Sequence, residues 1–130
     1  MASGTTDAAG APNDTANAPS KRTIYFDYDR FDIKDEYRPI VQAHAKYLRA
    51  NIQARMLVQG HADERGSREY NIGLGQRRAD SVKNMLTLLG GQEKQIESVS
   101  LGEEKPVCTD HAESCWSQNR RVQIRYVDEY

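Results

Sequence analysis

The first twenty residues lack almost everything from which a hydrophobic core is built. They contain no Leu, Ile, Val, Phe, Tyr or Trp, and six of the twenty are Ala. Such a segment buries too little apolar surface to offset the entropy of ordering its backbone. We therefore predict that residues 1–22 form a disordered tether, which ends with Lys21 and Arg22. The remaining residues, 23–130, are predicted to form one domain.

The chain also lacks a strong excess of charge of either sign. It has 18 basic and 19 acidic residues, and two of the acids lie in the first twenty residues, so the remainder balances at 18 − 17 = +1. We expect no nucleic-acid binding, because affinity for a phosphate backbone depends on concentrated positive charge. No run approaches the ~20 apolar residues of a membrane span. The N-terminus also lacks the basic and apolar regions of a secretory signal.

Cysteine is scarce, with only Cys108 and Cys115 in the chain. A disulfide between them would close a small surface loop and contribute roughly 2–3 kcal/mol on the chain-entropy estimate. A zinc site would need closer cysteines and two further ligands, and only His111 is near. Two unrelated thiols are the third alternative. The disulfide is favoured, and with it an oxidising compartment.

The hydrophobic pattern predicts alternating strands and helices. Strands are indicated for residues 23–27, 54–60 and 96–101, and the alternation of Val122, Ile124 and Tyr126 indicates a half-buried last strand. Helices are predicted to begin at Asp35 and near Ser67, and the second extends to residue 89. The order β-α-β-α-β-β predicts an α+β sandwich with helices packed on one face of a mixed sheet.

The densest polar stretch lies between the second predicted strand and the second predicted helix. It comprises residues 60–67, Gly-His-Ala-Asp-Glu-Arg-Gly-Ser. Loops at such a position are favoured for binding, because the scaffold holds them rigidly. The simpler alternative is that Asp63 or Ser67 only caps the helix. That alternative accounts for one residue and leaves the others unexplained.

Arg78 lies at the edge of the apolar stripe of the second helix, four residues from both Leu74 and Val82. An unpaired buried charge is costly, so this guanidinium must find an anion. An internal salt bridge to Asp63 or Asp27 would meet that need. Alternatively, Asp63 and Arg78 bind a ligand that carries an ammonium and a carboxylate, because Asp accepts from an amine and the Arg fork matches a carboxylate.

The remaining polar and small residues indicate less. His44 is interpreted as a satisfied, partly buried side chain. His61 could pair with Asp63 in a metal or hydrolytic site, but no third ligand suggests itself, and nothing requires catalysis or a cofactor. Gly73 and Gly75 each cost about 1 kcal/mol in a helix relative to Ala. Close approach of the backbone to the sheet or to a ligand is the explanation we favour.

The same residues carry a resemblance to a known family. Asp63 and Arg78 lie within an ordered run of motifs that resembles OmpA-like peptidoglycan-binding domains over roughly residues 23–127. The motifs are Gly60 to Gly66, Tyr70-Asn71, Leu74 to Ala79 with Val82, Tyr25-Phe26-Asp27 with Ile33, Ser100 to Pro106, and Asn119 to Val122. Within the family, the chain is most similar to the lipoproteins of the Gram-negative outer membrane.

The resemblance implies a non-enzymatic periplasmic domain of the OmpA type that binds the meso-diaminopimelate of the peptidoglycan stem peptide non-covalently. It assigns Arg78 to a carboxylate of diaminopimelate and Asp63 to its amine. Asn71, Asp27 and Phe31 are expected to line the same groove. The resemblance makes Asn119, Arg120 and Arg121 structural, holding the last strand against the second helix.

The resemblance also implies partners and a location. The protein is expected to sit at the periplasmic face of the outer membrane, anchored by an N-terminal lipid, and to link that membrane to the cell wall. The periplasmic β-propeller protein of the Tol system, which acts in cell division, is the expected protein partner. Another wall anchor, of motor-stator or barrel-associated type, is one alternative. A protein-interaction domain in which Asp63 and Arg78 form only a salt bridge is another.

Two departures from the family pattern bear on these expectations. Ala62 stands where the family usually has Thr, so one hydrogen bond is expected to be lost while the charge pairing stays. The lipid-bearing N-terminal Cys is absent, and the chain starts Met1-Ala2-Ser3. We expect a soluble form that lacks the signal and this Cys. We also expect that Arg78→Leu abolishes binding and leaves the fold intact.

Overall fold

The computed structural model describes residues 18–127, so the tether prediction for residues 1–17 lies outside the described residues. Four strands and three helices follow one another in the order β-α-β-α-β-α-β. They are β1 Thr23–Tyr25, α1 Arg38–Ala50, β2 Met56–His61, α2 Arg68–Leu88, β3 Ile96–Gly102, α3 Glu113–Asn119 and β4 Arg121–Tyr126. Single 3-10 turns, Asp35–Tyr37 and Glu93–Gln95, precede α1 and β3. Between residues 18 and 127, no helix is both long and apolar enough to cross a membrane.

The four strands form one mixed sheet in the order β1-β4-β2-β3. β2 and β3 are parallel, and β4 is antiparallel to both β1 and β2. A parallel pair needs a long crossover connection, which α2 supplies. The α+β class, the mixed sheet and the four strands are therefore confirmed.

Both long helices contribute to a single core on one face of the sheet. The apolar alternation of β4 is confirmed, because Val122, Ile124 and Tyr126 are all buried. The helix residues of the core cluster are Val41, Ala45, Tyr47 and Leu48 from α1 and Ala79, Val82 and Leu86 from α2. Where α2 crosses the sheet, the backbones at Gly60 and Gly75 come into contact without side chains between them. This confirms the close-approach explanation for Gly75.

The sequence did not predict α3. This helix has only seven residues and few apolar ones, and isolated helices of that length are unstable in water. The disulfide between Cys108 and Cys115 is present, as predicted, with the two Cα atoms 5.3 Å apart. Cys115 is buried, so the disulfide anchors α3 to the preceding loop and to the domain.

Residues 18–22, which we predicted as the end of the tether, lie against the domain. Ile124 N donates to Arg22 O at 2.9 Å, and Ala18 packs on the core. His44 has its Nε2 atom 2.7 Å from Lys21 O and its Nδ1 atom 2.7 Å from Tyr126 Oη. The packed part of the chain therefore extends before the predicted boundary at residue 23. His44 is the satisfied buried residue that the sequence indicated.

Candidate functional site

A short loop between β2 and α2 positions the acidic side of the candidate site. It leaves the sheet at His61, and Ala62 N still donates to Gly102 O of β3 at 3.0 Å. Gly66 turns the chain with a φ of 102°, a conformation that glycine adopts readily. Ser67 then caps α2, since its side chain accepts from Tyr70 N at 3.1 Å. Ser67 therefore caps the helix, and Asp63 makes its contacts elsewhere.

Asp63, Arg78 and Asn71, which the sequence predicted as neighbours, line one small cleft. Its cavity volume is about 60 Å³. The other lining residues come from the loop after β1, the β2–α2 loop and α2: Tyr28, Asp29, Arg65, Gly66, Tyr70 and Leu74. The structure therefore brings the predicted acid and base to the same place, although they are fifteen residues apart in the chain.

Arg78 is fully buried at the base of this cleft. Its guanidinium donates to three backbone carbonyls: Nε to Arg30 O at 2.8 Å, Nη1 to His61 O at 2.9 Å and Nη2 to Asp27 O at 3.1 Å. Within residues 18–127 no carboxylate forms an ion pair with it, so the salt bridge to Asp63 or Asp27 is not formed. A guanidinium has five N–H donors, and these bonds use three of them.

Arg78 keeps its positive charge despite the burial. Desolvation and the nearby Arg120 lower its pKa to about 10, while Asp63 and Asp29 oppose this shift. A group with that pKa is protonated at neutral pH. The base of the cleft is therefore a fixed cation whose bonds go to neutral oxygens.

Asp63 is also buried and is held by arginines. Its Oδ1 atom accepts from Arg65 N at 2.9 Å and from Arg65 Nε at 3.2 Å, and its Oδ2 atom accepts from Arg65 Nη2 at 2.8 Å. Arg120 Nη1 lies 3.4 Å from the same Oδ2 atom. Burial raises the pKa of Asp63, but the hydrogen bonds and charges of Arg65 and Arg120 outweigh it and leave the pKa below its ordinary value. Asp63 is thus an anion.

Arg65 is a site residue to which the sequence analysis assigned no role. Its guanidinium lies between two aromatic rings, 4.0 Å from the centre of Tyr28 and 4.2 Å from that of Trp116. Trp116 is fixed in turn, because its Nε1 atom donates to Glu64 at 2.7 Å. Arg65 follows Asp63 by two residues, so the sequence alone could have suggested that the two side chains form an ion pair. Tyr28 and Trp116 come from distant segments, and no local pattern pointed to them.

Asn71 and Asp27 differ in how they take part. Asn71 is buried in the cleft wall and donates to Glu103 at 2.8 Å. Asp27 contributes its main-chain carbonyl to Arg78, whereas its side chain is exposed and pairs with Lys34 at 3.0 Å. The Asp27 carboxylate is therefore not part of the cleft lining.

Phe31 lies beside the cleft and is not among its lining residues. Its ring is 46% exposed, and the Arg77 guanidinium is 5.6 Å from the ring centre. Arg77 is also 5.7 Å from the centre of the Tyr70 ring, and the Tyr70 hydroxyl donates to Asp29. These side chains form an aromatic and basic rim at the edge of the cleft.

The three residues at the end of α3 and the start of β4 are structural, but they hold other segments than we expected. Asn119 accepts from Val107 N at 2.8 Å, just before the loop that the disulfide closes. Arg120 Nε donates to Phe26 O at 2.9 Å, and Arg121 Nη2 donates to Lys105 O at 3.0 Å. Among the described residues, these side chains make no hydrogen bond to α2. Their expected part in fixing the last strand against the second helix therefore has no hydrogen bond behind it and stays a prediction.

His61 does not form the pair with Asp63 that a hydrolytic site would need. Its ring is buried, and in the described part of the chain neither ring nitrogen has a hydrogen-bond partner. Burial, together with Arg121 and Arg125, lowers its pKa to about 3. Across residues 18–127 no group of three His, Cys, Asp or Glu side chains could hold a metal ion.

Comparisons with known sequences place the chain in a family. The model of the OmpA family matches residues 25–120. The peptidoglycan-associated lipoprotein of Pasteurella multocida is 48% identical over 104 residues, which cover 80% of this chain and 69% of that protein. The protein of the same name from Pseudomonas aeruginosa is 46% identical over 116 residues, covering 89% of this chain and 68% of the relative.

Solved structures give the same result. The crystal structure of the peptidoglycan-associated lipoprotein from Burkholderia pseudomallei is similar with a TM-score of 0.83 at 47% identity, covering 89% of this chain and 99% of that one. The C-terminal domain of Helicobacter pylori MotB shares the fold, with a TM-score of 0.73 at 20% identity over 80% of this chain and 82% of that one. On the sequence match and the fold together, this chain belongs to the OmpA family.

Proposed function

We propose that this domain anchors the bacterial envelope by binding peptidoglycan non-covalently, through the meso-diaminopimelate of the stem peptide. One observation carries the proposal: Arg78 is a buried cation in a cleft, its three hydrogen bonds go to neutral carbonyls, and within residues 18–127 no carboxylate pairs with it. A carboxylate is the partner whose geometry such a guanidinium matches. Relatives at 46–50% identity are named for their association with peptidoglycan, which supports this choice of ligand.

In the same proposal, Asp63 binds the amine of the ligand. In this proposal the carboxylate of diaminopimelate pairs with Arg78, and the amine on the same carbon pairs with Asp63. A lysine side chain offers the amine without the carboxylate, so Arg78 distinguishes the two kinds of stem peptide. The chain's near-zero net charge fits such a zwitterion, because the site needs one placed acid and one placed base rather than a basic field.

Membership of the family supports a proposal for the wider role. We propose that the native protein is lipid-anchored at the periplasmic face of the outer membrane and links it to the wall without acting as an enzyme. The β-propeller protein of the Tol system is the proposed protein partner. Detection of a lipid on the native N-terminus would separate this role from that of a motor-stator or barrel-associated anchor.

A calorimetric titration tests the proposed ligand. The wild-type protein is titrated with a stem peptide that ends in diaminopimelate and with the same peptide carrying lysine. We expect the diaminopimelate peptide to bind at least about tenfold more tightly, the factor of a charge-assisted contact of about 1.4 kcal/mol. Equal affinities would overturn the role of Arg78 in reading the carboxylate.

Variants make the test specific to the two residues. Arg78→Lys keeps the charge and loses the fork, and Asp63→Asn keeps the shape and loses the charge, so both are expected to weaken binding. Arg38→Leu, which removes an exposed arginine outside the cleft, should bind like the wild type. Failure of the wild type to bind either peptide would favour a protein-interaction domain instead.

A further inference from the structure

The Arg65 side chain binds the same Asp63 carboxylate to which the proposed function assigns the ligand's ammonium. It makes two side-chain bonds to the Asp63 carboxylate, at 2.8 and 3.2 Å, and so neutralises the acid that should accept the amine. The flat guanidinium also fills the space between Tyr28 and Trp116. With Arg65 in place, only about 60 Å³ of cavity remains, enough for a few water molecules.

We propose that Arg65 is a built-in occupant of the cation position, which an ammonium-bearing ligand must displace before it can bind Asp63. This inference rests on the proposed function and concerns how the same site selects its ligand. An apolar or purely anionic ligand gains nothing from displacing Arg65, because it cannot replace the charge that Asp63 loses. The latch, meaning the pair of Arg65 and Asp63, therefore admits cations and rejects other groups.

The residues around Arg65 leave room for its side chain to move away from Asp63. Arg65 Nη2 lies 3.8 Å from a carboxylate oxygen of Glu113, which is exposed, already pairs with Arg120 at 2.8 Å, and is the acid that Arg65 would share after displacement. The side chain of Arg65 is itself 30% exposed, so it can move outward without crossing the core. Asp63 keeps its bond from Arg65 N at 2.9 Å, which fixes the carboxylate while the side chain moves.

The aromatic pair supplies the selectivity for a cation. The Arg65 guanidinium carbon lies 4.0 Å from the centre of the Tyr28 ring and 4.2 Å from that of Trp116, and both rings attract positive charge through their quadrupoles. An ammonium that replaces Arg65 would meet Asp63 and the same two rings. The slot is thus a site for a cation that carries hydrogen-bond donors.

Trp116 makes the displacement directly visible, because it is the only tryptophan in the chain. The full chain is titrated with the diaminopimelate peptide, and affinity is measured by calorimetry while the emission of Trp116 is followed. We expect binding to shift the emission of the wild type. A peptide whose side-chain amine is replaced by hydrogen should bind more weakly and leave the emission unchanged.

Variants of Arg65 test whether its displacement limits the affinity and changes the emission of Trp116. We expect Arg65→Ala to bind the diaminopimelate peptide about fivefold more tightly, the equivalent of a partly exposed ion pair of about 1 kcal/mol. Its emission should already be shifted before the peptide is added. Arg65→Lys, which keeps a charge without the flat stacking, should fall between the two and serves if the Ala variant does not fold. Arg68→Ala, an exposed arginine paired with Glu104, is the matched control and should behave like the wild type.

Three outcomes have different meanings. Binding by the wild type without any change in Trp116 emission would overturn the latch and leave the proposed function standing. Weaker binding by Arg65→Ala would also overturn it, since Arg65 would then be a ligand contact. Absence of wild-type binding to the diaminopimelate peptide would refute the proposed function, and the latch with it.

Discussion

Gly60 in β2 and Gly75 in α2 lie in direct backbone contact. A Cβ atom added to Gly60 would come within 1.8 Å of Gly75 O, and one added to Gly75 would lie 2.3 Å from Ser100 Oγ. Real atoms cannot approach so closely, so the close approach of α2 to the sheet at this point requires glycine at both positions. Arg78 follows Gly75 by three residues, which is how the helix presents its guanidinium to the end of β2.

The two glycines of α2 are expected to respond oppositely to alanine. Gly75→Ala should lower the free energy of unfolding by about 1–3 kcal/mol, since the helix must move away from the sheet. Gly73→Ala should raise it by up to about 1 kcal/mol, because its Cβ would meet only Arg77 Nη1 at 3.5 Å and alanine favours the helix. Urea denaturation of the two variants measures the difference, and equal effects would contradict the packing described.

Arg78 is expected to support the fold as well as the ligand. Arg78→Leu leaves three carbonyls without their donor, and each unsatisfied buried group costs about 1–3 kcal/mol. We expect the variant to lose about 3 kcal/mol or more, measured by chemical denaturation, so its fold stays intact only if the domain's total stability exceeds that loss. Arg77→Leu, its exposed neighbour, should change stability by about 0.5 kcal/mol or less. An Arg78→Leu variant as stable as the wild type would show that other donors replace the guanidinium.

The buried ring of His61 is expected to make stability depend on pH. The pKa of His61 in the folded protein is about 3, below the ordinary value of 6.5. Between these two pH values the ring is protonated in the unfolded chain and neutral in the folded one. Stability from this group is therefore full above pH 6.5 and is lost as the pH falls, by up to about 1.4 kcal/mol per pH unit. His61→Leu should remove that slope in denaturation curves recorded between pH 6.5 and 5.

His111 provides the contrast to His61. It is exposed, and its hydrogen bond and ion pair with Glu64 raise its pKa. Its contribution is therefore present at low pH and is lost as the pH rises through the raised pKa. His111→Ala should keep the slope that His61→Leu removes. If the slope survives in His61→Leu, the proton taken up on unfolding belongs to another group.

The disulfide is expected to stabilise the part of the chain that carries Trp116. It links residues seven apart, and a loop of that size contributes roughly 2–3 kcal/mol. Reduction by dithiothreitol should lower the free energy of unfolding by this amount. The double variant Cys108→Ser with Cys115→Ser should start at the lower stability and be insensitive to the reductant. Equal stability of the oxidised and reduced forms would contradict the prediction.

The fold was predictable where residue periodicity carries the information. The four strands and two long helices follow from apolar patterns, including the alternation of Val122, Ile124 and Tyr126. The helix α3 was not predictable, because its seven residues have no apolar stripe and depend on the Cys115 disulfide. The ordered residues before Thr23 were missed because main-chain carbonyls, which every sequence has, hold them in place.

The two charged residues of the site could be predicted from the sequence, but the groups that contact them could not. Asp63 and Arg78 stood out because a loop acid and a helix-face base need an explanation wherever they are buried. We predicted an anionic partner for Arg78, whereas the structure supplies three neutral carbonyls. Because these belong to the main chain, no residue type in the sequence indicates them. Arg65 and its two aromatic neighbours come together only through folding, from segments up to 88 residues apart (Tyr28 to Trp116).

The segment of residues 18–22 has a mechanical consequence. It joins the sheet near Ile124 and Tyr126, which pair along β4 with the start of β2, whereas the cleft lies at the other end of the strands, beyond Gly60. If the N-terminal side is tied to a membrane and the cleft to the wall, tension runs along the strands. The hydrogen bonds between β1 and β4 then carry the load together in shear and are not peeled apart one at a time.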